Sequence, residues 1–422
     1  MKTTPGAIPA PGAGSHRGTF RALRSRPFRR YFIGQVVSAS GTFLQQTAIA
    51  WLVFRLTHSA SSLGLVLAAG GLPSLVFGPW GGTVVDRVDG RRLLLVTQSL
   101  FAALAAALWA LSAAGLTTVG VVVVLNVATG VVSIVDSPAR QAFVSRLVQA
   151  DDLSSAVSLN GVVMKSARVI GPSVAGALIA TVGTTPCFAV NAVSYLAVIV
   201  ALAAVHPVSA QSIGRHGGVR DGLRYARGRQ QLWLPLLMMS IVGLISFNFS
   251  VILPVLASDT FHGAGGTYGL LSAMLSVGSV AGSIAVGFVH HPRRVYLVAA
   301  ALGFGVALAA TAEAPTVLVA CLLLVVTGFA AYSYVTLSST TLQLHAAPAY
   351  RGRIMALWVF VYLGTTPVGS VLSGWLCSAA GPRAALLAGA GACVLVGGIA
   401  ARVHTPPEPD AALLDLRPSE LV

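Results

Sequence analysis

An all-α membrane protein, with twelve transmembrane helices in two six-helix bundles and both termini cytoplasmic, is the fold class this sequence predicts. Three observations carry it. Apolar residues make up 55% of the chain, charged residues only 9%, and mean hydropathy is +0.81. A soluble domain carries about 25% charge, so a chain of this composition lacks the polar surface that water requires. Apolar stretches near the ~20 residues of a bilayer crossing recur twelve times. Arginine and lysine gather in alternate gaps between them, the pattern that places such loops inside the cell.

The elements follow in chain order. Residues 1–30 hold seven Lys/Arg with Pro and Gly and no apolar leader core, so they read as a disordered cytoplasmic arm. The first bundle, 31–207, contains spans at 31–54, 62–85, 93–114, 117–136, 161–182 and 186–205. A cytoplasmic linker covers 208–231. The second bundle, 232–403, contains spans at 232–256, 268–289, 295–313, 316–338, 355–379 and 383–402, and a cytoplasmic tail covers 404–422. Spans 3/4, 5/6 and 11/12 are almost continuous. With the N-terminus inside, 25 of the 27 Lys/Arg fall on the cytoplasmic side, and only Arg55 and Arg383 fall outside. The net charge of +15 is thereby a topology signal rather than a nucleic-acid surface. Within the linker, residues 221–227 read either as a basic amphipathic helix on the anionic leaflet or as solvated chain. The four cysteines, Cys187, Cys321, Cys377 and Cys393, lie in or beside apolar spans without metal-ligand spacing and read as packing residues.

The two halves look related. Span 5 carries Gly171-Pro172-x-x-x-Gly176 and span 11 carries Thr366-Pro367-x-Gly369 with Gly374. Helices interrupted at matching places in duplicated halves are typical of rocking secondary transporters. Short strings in and beside the spans extend the pattern. They are Asp86-Arg87-x-Asp89-x-Arg91-Arg92; Asp136-Ser-Pro138-Ala-Arg140-Gln141-Ala-Phe143; Ala167-Arg168-Val-Ile-Gly171-Pro172; Phe188-Ala-Val-Asn191; Tyr268-Gly269; and Arg351-Gly352-Arg353. In this order and placement they resemble the major facilitator superfamily across essentially the whole chain. The nearest resemblance is to the branch that includes the enterobactin exporter and the transmembrane secretion effector proteins. Three departures stand out: Asp89 occupies a usual glycine, Asn126 a usual span-4 arginine, and the second-half loop His290–Arg294 has lost its acid.

The resemblance implies a secondary active exporter of a small amphipathic molecule (drug, antibiotic or siderophore), working by alternating access in exchange for protons. Nutrient uptake on the same fold and a non-transporting membrane sensor are the alternatives. It implies a conformational latch among Gly82, Asp86, Arg87, Asp89, Arg91, Arg92, Asp136 and Arg140, centred on Asp86, Arg91 and Asp136. Gly171, Pro172 and Gly176 form an expected hinge in span 5, approaching Gly278 and Gly282 of span 8. Arg168, on the same helix, either faces the cavity toward an anionic substrate or snorkels to the interface. Polar groups are penalised in lipid, so Gln46, Asn126, Ser133 and Asn248 are expected to line the cavity, with Phe247, Tyr334 and Tyr362 as aromatic surface. No acid other than Asp136 lies deep in a span, which favours apolar, neutral or anionic substrates. No nucleotide-binding loop, metal-ligand cluster or catalytic constellation is visible. The expectation is a monomeric multi-pass protein of a bacterial cytoplasmic membrane, not an enzyme, with no cofactor, its partners being a small molecule, protons and lipid.

Overall fold

The computed structural model describes residues 21–85, 87–149, 152–205, 219–289 and 293–403. The chain is helical almost throughout. The helices are α1 (Arg26–Thr57), α2 (Ala60–Val85), α3 (Gly90–Ala113), α4 (Val119–Arg146), α5 (Leu153–Thr181), α6 (Thr185–Ala203) and α7 (Val219–Arg227). They continue with α8 (Gln230–Ser246), α9 (Phe249–Val255), α10 (Gly265–Gly287), α11 (Arg294–Ala312), α12 (Val317–His345) and α13 (Pro348–Arg402). Side-chain caps fix several starts: Ser25 accepts from the Phe28 amide, Asp89 from Arg92, Thr118 from Val121 and Thr316 from Val319. Each satisfies one of the amides a helix leaves bare at its N-terminus.

Among the described residues, eleven helical runs are long and apolar enough to cross a membrane. The last of them spans 53 residues, about 80 Å at 1.5 Å per residue and far beyond a bilayer's ~30 Å core. It is two helices meeting at Gly381, whose φ of 84° and ψ of 167° are not helical. The stretches that run together in the sequence all part at such a residue. Gly115 (φ 69°) separates α3 from α4, Gly183 (φ 87°) separates α5 from α6, and Gly381 divides α13. Only glycine takes these angles without strain. Beyond Gly381 the chain doubles back along α11: Arg383 donates to the Ala314 carbonyl at one end and Arg294 to the Ala400 carbonyl at the other.

Helices α1–α6 pack together, as do α8–α13. Some boundaries differ from the sequence expectation. Within the arm expected to be disordered over 1–30, Arg21–Arg24 form a helical turn and α1 starts at Arg26. Arg21 pairs with Asp152 at 2.8 Å, and the Ala22 amide donates to Ser155 Oγ at 3.1 Å. Residues 1–20 and 404–422 lie outside the described residues. Helices α4, α5 and α12 overrun their expected apolar spans, since their amphipathic extensions stay packed; Ala139, Phe143 and Val144 of α4 are buried. Span 7 is interrupted: α8 stops at Ser246, Phe247 and Asn248 are non-helical, and α9 resumes at Phe249.

The described part of the linker forms the helix that one of the two readings expects, and it is not solvated chain. α7 docks on the start of α13. Tyr225 stacks on Tyr350 with ring centres 4.1 Å apart, Arg229 lies over Tyr225 at 4.4 Å, and Arg353 lies over Tyr350 at 5.0 Å. The Tyr225 hydroxyl accepts from the Ala347 amide at 3.1 Å. Cation, ring, ring and cation alternate, an arrangement that pairs each positive charge with the negative face of a ring.

Candidate functional site

The charged end of the first half is organised around Asp136, which is buried. Its Oδ1 accepts from Thr97 Oγ1 and Gln98 Nε2 of α3, both at 2.7 Å, and its Oδ2 pairs with Arg140 one turn along α4. A buried carboxylate persists only when its lone pairs and charge are met, and here α3 and α4 meet them together. Arg91 does not join this group. Its Nε donates to the Leu202 carbonyl at 2.8 Å and its terminal nitrogen to Ala203, closing the C-terminal end of α6. Asp89 caps α3 through the Arg92 amide at 2.8 Å, and Arg87 is exposed. Gly82 lies in the last turn of α2, and Asp86 lies outside the described residues. The described contacts of the expected latch thus bind helices of the first half to one another.

The halves meet along two seams, α5 with α10 and α2 with α13. A Cβ on Gly269 would sit 2.0 Å from Gly176 Cα, so the two backbones touch. This corrects the expected partners. Gly278 and Gly282 face the Val325 and Phe329 carbonyls of α12 within the second half, and Gly171 faces Phe43 and Ser40 of α1. A glycine pair marks a helix crossing but not which neighbour occupies it. Nearby, Trp51 stacks on Tyr268 with centroids 6.0 Å apart. On the other seam the Ser61 hydroxyl bonds Ser378 Oγ at 2.9 Å, and Gly64 abuts the Ser370 carbonyl. These contacts cluster at the end where α1 and α5 finish and α10 begins. Toward the opposite end of the same helices, Gly78, Gly161 and Gly287 have nothing within 4 Å of a built Cβ. Along the α2–α13 seam the contacts continue inward, Gly71 against Pro367 and Gly364 against Leu75.

Between these levels side chains of the two halves meet around Arg168. Arg168 of α5 lies with its guanidinium carbon 5.2 Å from the ring of Phe43 on α1 and 5.2 Å from that of Tyr332 on α12. Of the two expected orientations it takes the inward one. Phe247, at the break in span 7, packs edge-on against Tyr332 and Tyr362 at 6.2 and 6.1 Å. The Tyr332 and Tyr362 hydroxyls are 3.4 Å apart, and Trp358 stacks on Tyr362 at 5.4 Å. Gln46, one turn beyond Phe43, is exposed. Phe247 and Tyr362 are thereby grouped with Tyr332, which Arg168 approaches.

The other expected lining residues are turned elsewhere. The Asn126 amide donates to the Val66 carbonyl of α2 at 2.9 Å, packed over Gly70, so it joins two helices of the first half. The Ser133 hydroxyl returns to the Thr129 carbonyl of its own helix. Asn248 is buried against Gly369 of α13 and donates to the Leu244 carbonyl. Tyr334 is fully buried in the core of the second half. The sequence reading missed Tyr332, two residues earlier and about 160° around the helix at 3.6 residues per turn. An aromatic pair at that spacing signals two opposite faces, and nothing local chooses between them.

A family model described as transmembrane secretion effector matches residues 17–420. The chain is 27% identical over 395 residues to the multidrug efflux pump Tap of Mycobacterium tuberculosis, covering 89% of this chain and 93% of that one. It is 24% identical over 357 residues to the staphyloferrin A transporter of Staphylococcus aureus, covering 81% and 87%. Macrolide efflux protein A of Streptococcus pyogenes is 22% identical over 364 residues, covering 82% and 88%. Among solved structures, a bacterial homolog of the human lysosomal transporter Spinster, inward-facing and occupied, superposes with a TM-score of 0.71 at 14% identity, over 90% of this chain and 98% of that chain. The nucleoside transporter NupG gives 0.69 at 12%, over 93% and 100%. At such identities the structural likeness speaks to the fold alone.

Proposed function

This chain belongs to the transmembrane secretion effector family of major facilitator transporters, and from that premise we propose that it exports a small amphipathic molecule by alternating access, in exchange for protons. The observation that carries the proposal is the meeting of both halves around Arg168 beside the Gly176–Gly269 contact, read here as a chamber closed at that end. In this reading the chain crosses a bacterial cytoplasmic membrane twelve times, the last two crossings divided at Gly381, and works as a monomer. The arginine distribution supports cytoplasmic termini, so the closed end is extracellular and the chamber opens inward to collect its cargo. The efflux named for Tap and the macrolide protein supports the outward direction.

Transport then requires the Gly176–Gly269 and Ser61–Ser378 contacts to part while the opposite end closes. Packed interfaces switch between discrete arrangements rather than bending continuously, and backbone-to-backbone glycine contacts leave no interlocked side chains to release. For the proton, Asp136 is the one buried acid among the described residues, and it is linked through Arg140 and α3 to the end of the first half that must move.

The test is a reversible lock. Cysteines replacing Ser61 and Ser378, cross-linked by oxidation, are expected to lower energised dye accumulation in inside-out vesicles at least tenfold, with recovery on reduction. The native cysteines are buried, and Cys377, the neighbour of Ser378, is replaced by Ala beforehand so that only the intended pair can form. Undiminished accumulation with the pair fully cross-linked defeats alternating access through this seam.

A further inference from the structure

We infer that Arg168 is the recognition site for the anionic group of an aromatic or otherwise flat amphipathic substrate, an assignment that rests on the export reading above. Arg168 lies near the middle of the apolar run Leu159–Thr181. Nine residues of helix separate it from the nearer end, about 13 Å at 1.5 Å per residue, more than an arginine side chain spans by snorkelling. Its charge is instead held by the faces of Phe43 and Tyr332.

Ring faces answer a cation's charge but accept none of its hydrogen bonds. A guanidinium carries five N–H donors in a planar fork, and among the described residues those of Arg168 meet no acceptor and no carboxylate. The two ion pairs among those residues, Arg21–Asp152 and Arg140–Asp136, lie elsewhere. The described acids likewise lie elsewhere: Asp89 and Asp152 at helix starts, Asp221 on α7, Asp136 inside the first half, and Asp259 and Glu313 exposed. An ionised group in the middle of a membrane protein marks a functional site unless a partner explains it. Here the chain supplies rings and no acceptor, which leaves the fork for a carboxylate, sulfonate or phosphate brought by the cargo. Phe247, Tyr332 and Tyr362 continue the aromatic surface away from the guanidinium, giving a flat apolar body somewhere to lie. A cationic amphiphile meets a like charge in the same place and is disfavoured.

Two probes that share one aromatic body separate the terms: 1-anilinonaphthalene-8-sulfonate, an anion, and its neutral parent N-phenyl-1-naphthylamine. Equilibrium binding to the full chain in nanodiscs is expected to favour the anion about tenfold, the scale of hydrogen bonds to a charged group. Arg168→Gln is expected to bring the anion-to-neutral affinity ratio close to one. Arg168→Lys, which keeps the charge but loses the fork, should give an intermediate ratio and confirms that the site still folds. Equal weakening of both probes in Arg168→Gln makes the residue a strut between the halves and overturns the assignment, as does failure of the wild type to bind the anion. Energised accumulation in inside-out vesicles is read separately. Selective anion binding without accumulation defeats the export reading and leaves the site standing, whereas accumulation of both probes without discrimination does the reverse.

Discussion

The two halves solve the same packing problem with different chemistry. Helices α4 and α12 correspond closely: Thr118 and Thr316 cap them, and counted from those caps Gly130 and Gly328 fall at one position, each pressed against a carbonyl of a neighbouring helix, Gly70 of α2 and Leu275 of α10. At the next matching positions the halves diverge. The first half places Asp136 and Arg140, a buried ion pair served by Thr97 and Gln98. The second places Tyr334, fully buried, and Ser338, which accepts from Trp358 Nε1 at 3.3 Å. One half carries a polar network toward the end of α4 and the other a conventional aromatic core. Yet both close their last helix alike, Arg91 on the carbonyls ending α6 and Arg294 on the Ala400 carbonyl near the end of α13. A duplicated architecture has kept its helix-end locks and glycine crossings while its titratable chemistry stays in one half.

The most forceful way to break this contrast is Asp136→Asn. It leaves Arg140, only 22% exposed, without its carboxylate, and is expected to cost about 3 kcal/mol of stability, the lower end for breaking a buried pair. Thermal unfolding in nanodiscs reads the loss. The double change Asp136→Leu with Arg140→Met should recover most of it, since an apolar pair of similar volume carries no desolvation penalty. The helix-end arginines sharpen the symmetry. Arg91→Ala and Arg294→Ala are each expected to cost about 1–2 kcal/mol, from lost charged hydrogen bonds and a favourable charge at a helix C-terminus. Equal losses mean one shared capping role, and a markedly larger loss for Arg91 means a further acidic partner, as the latch expectation with Asp86 requires. The smallest effect belongs to Tyr334→Phe. Its hydroxyl has no partner among the described residues, so removal should change stability by less than about 0.5 kcal/mol. A loss above about 1 kcal/mol would show that the second half holds a polar contact of its own.

The spans themselves were legible because transfer of a helix into lipid depends on the local run of side chains, and the alternating arginines need only the order of the loops. The near-continuous spans were legible as pairs, and Gly115, Gly183 and Gly381 explain where each one turns. The latch strings were visible too, but not that Arg91 reaches α6 rather than Asp136. Around Arg168 the sequence singled out Phe247 and Tyr362 but not Tyr332, which they contact.

What the sequence determined by itself is one-dimensional: which segments are helices, how many charges lie between them, and which family the ordered strings resemble. The tertiary structure decided direction around each helix axis. It turned Asn126 onto Gly70, set Gly269 rather than Gly278 against Gly176, and chose Tyr332 over Tyr334 for the chamber. The physical reason is that a membrane helix is apolar on nearly every side. Lipid, a neighbouring helix and a chamber wall then accept similar residues, and only packing of the whole assembly tells them apart.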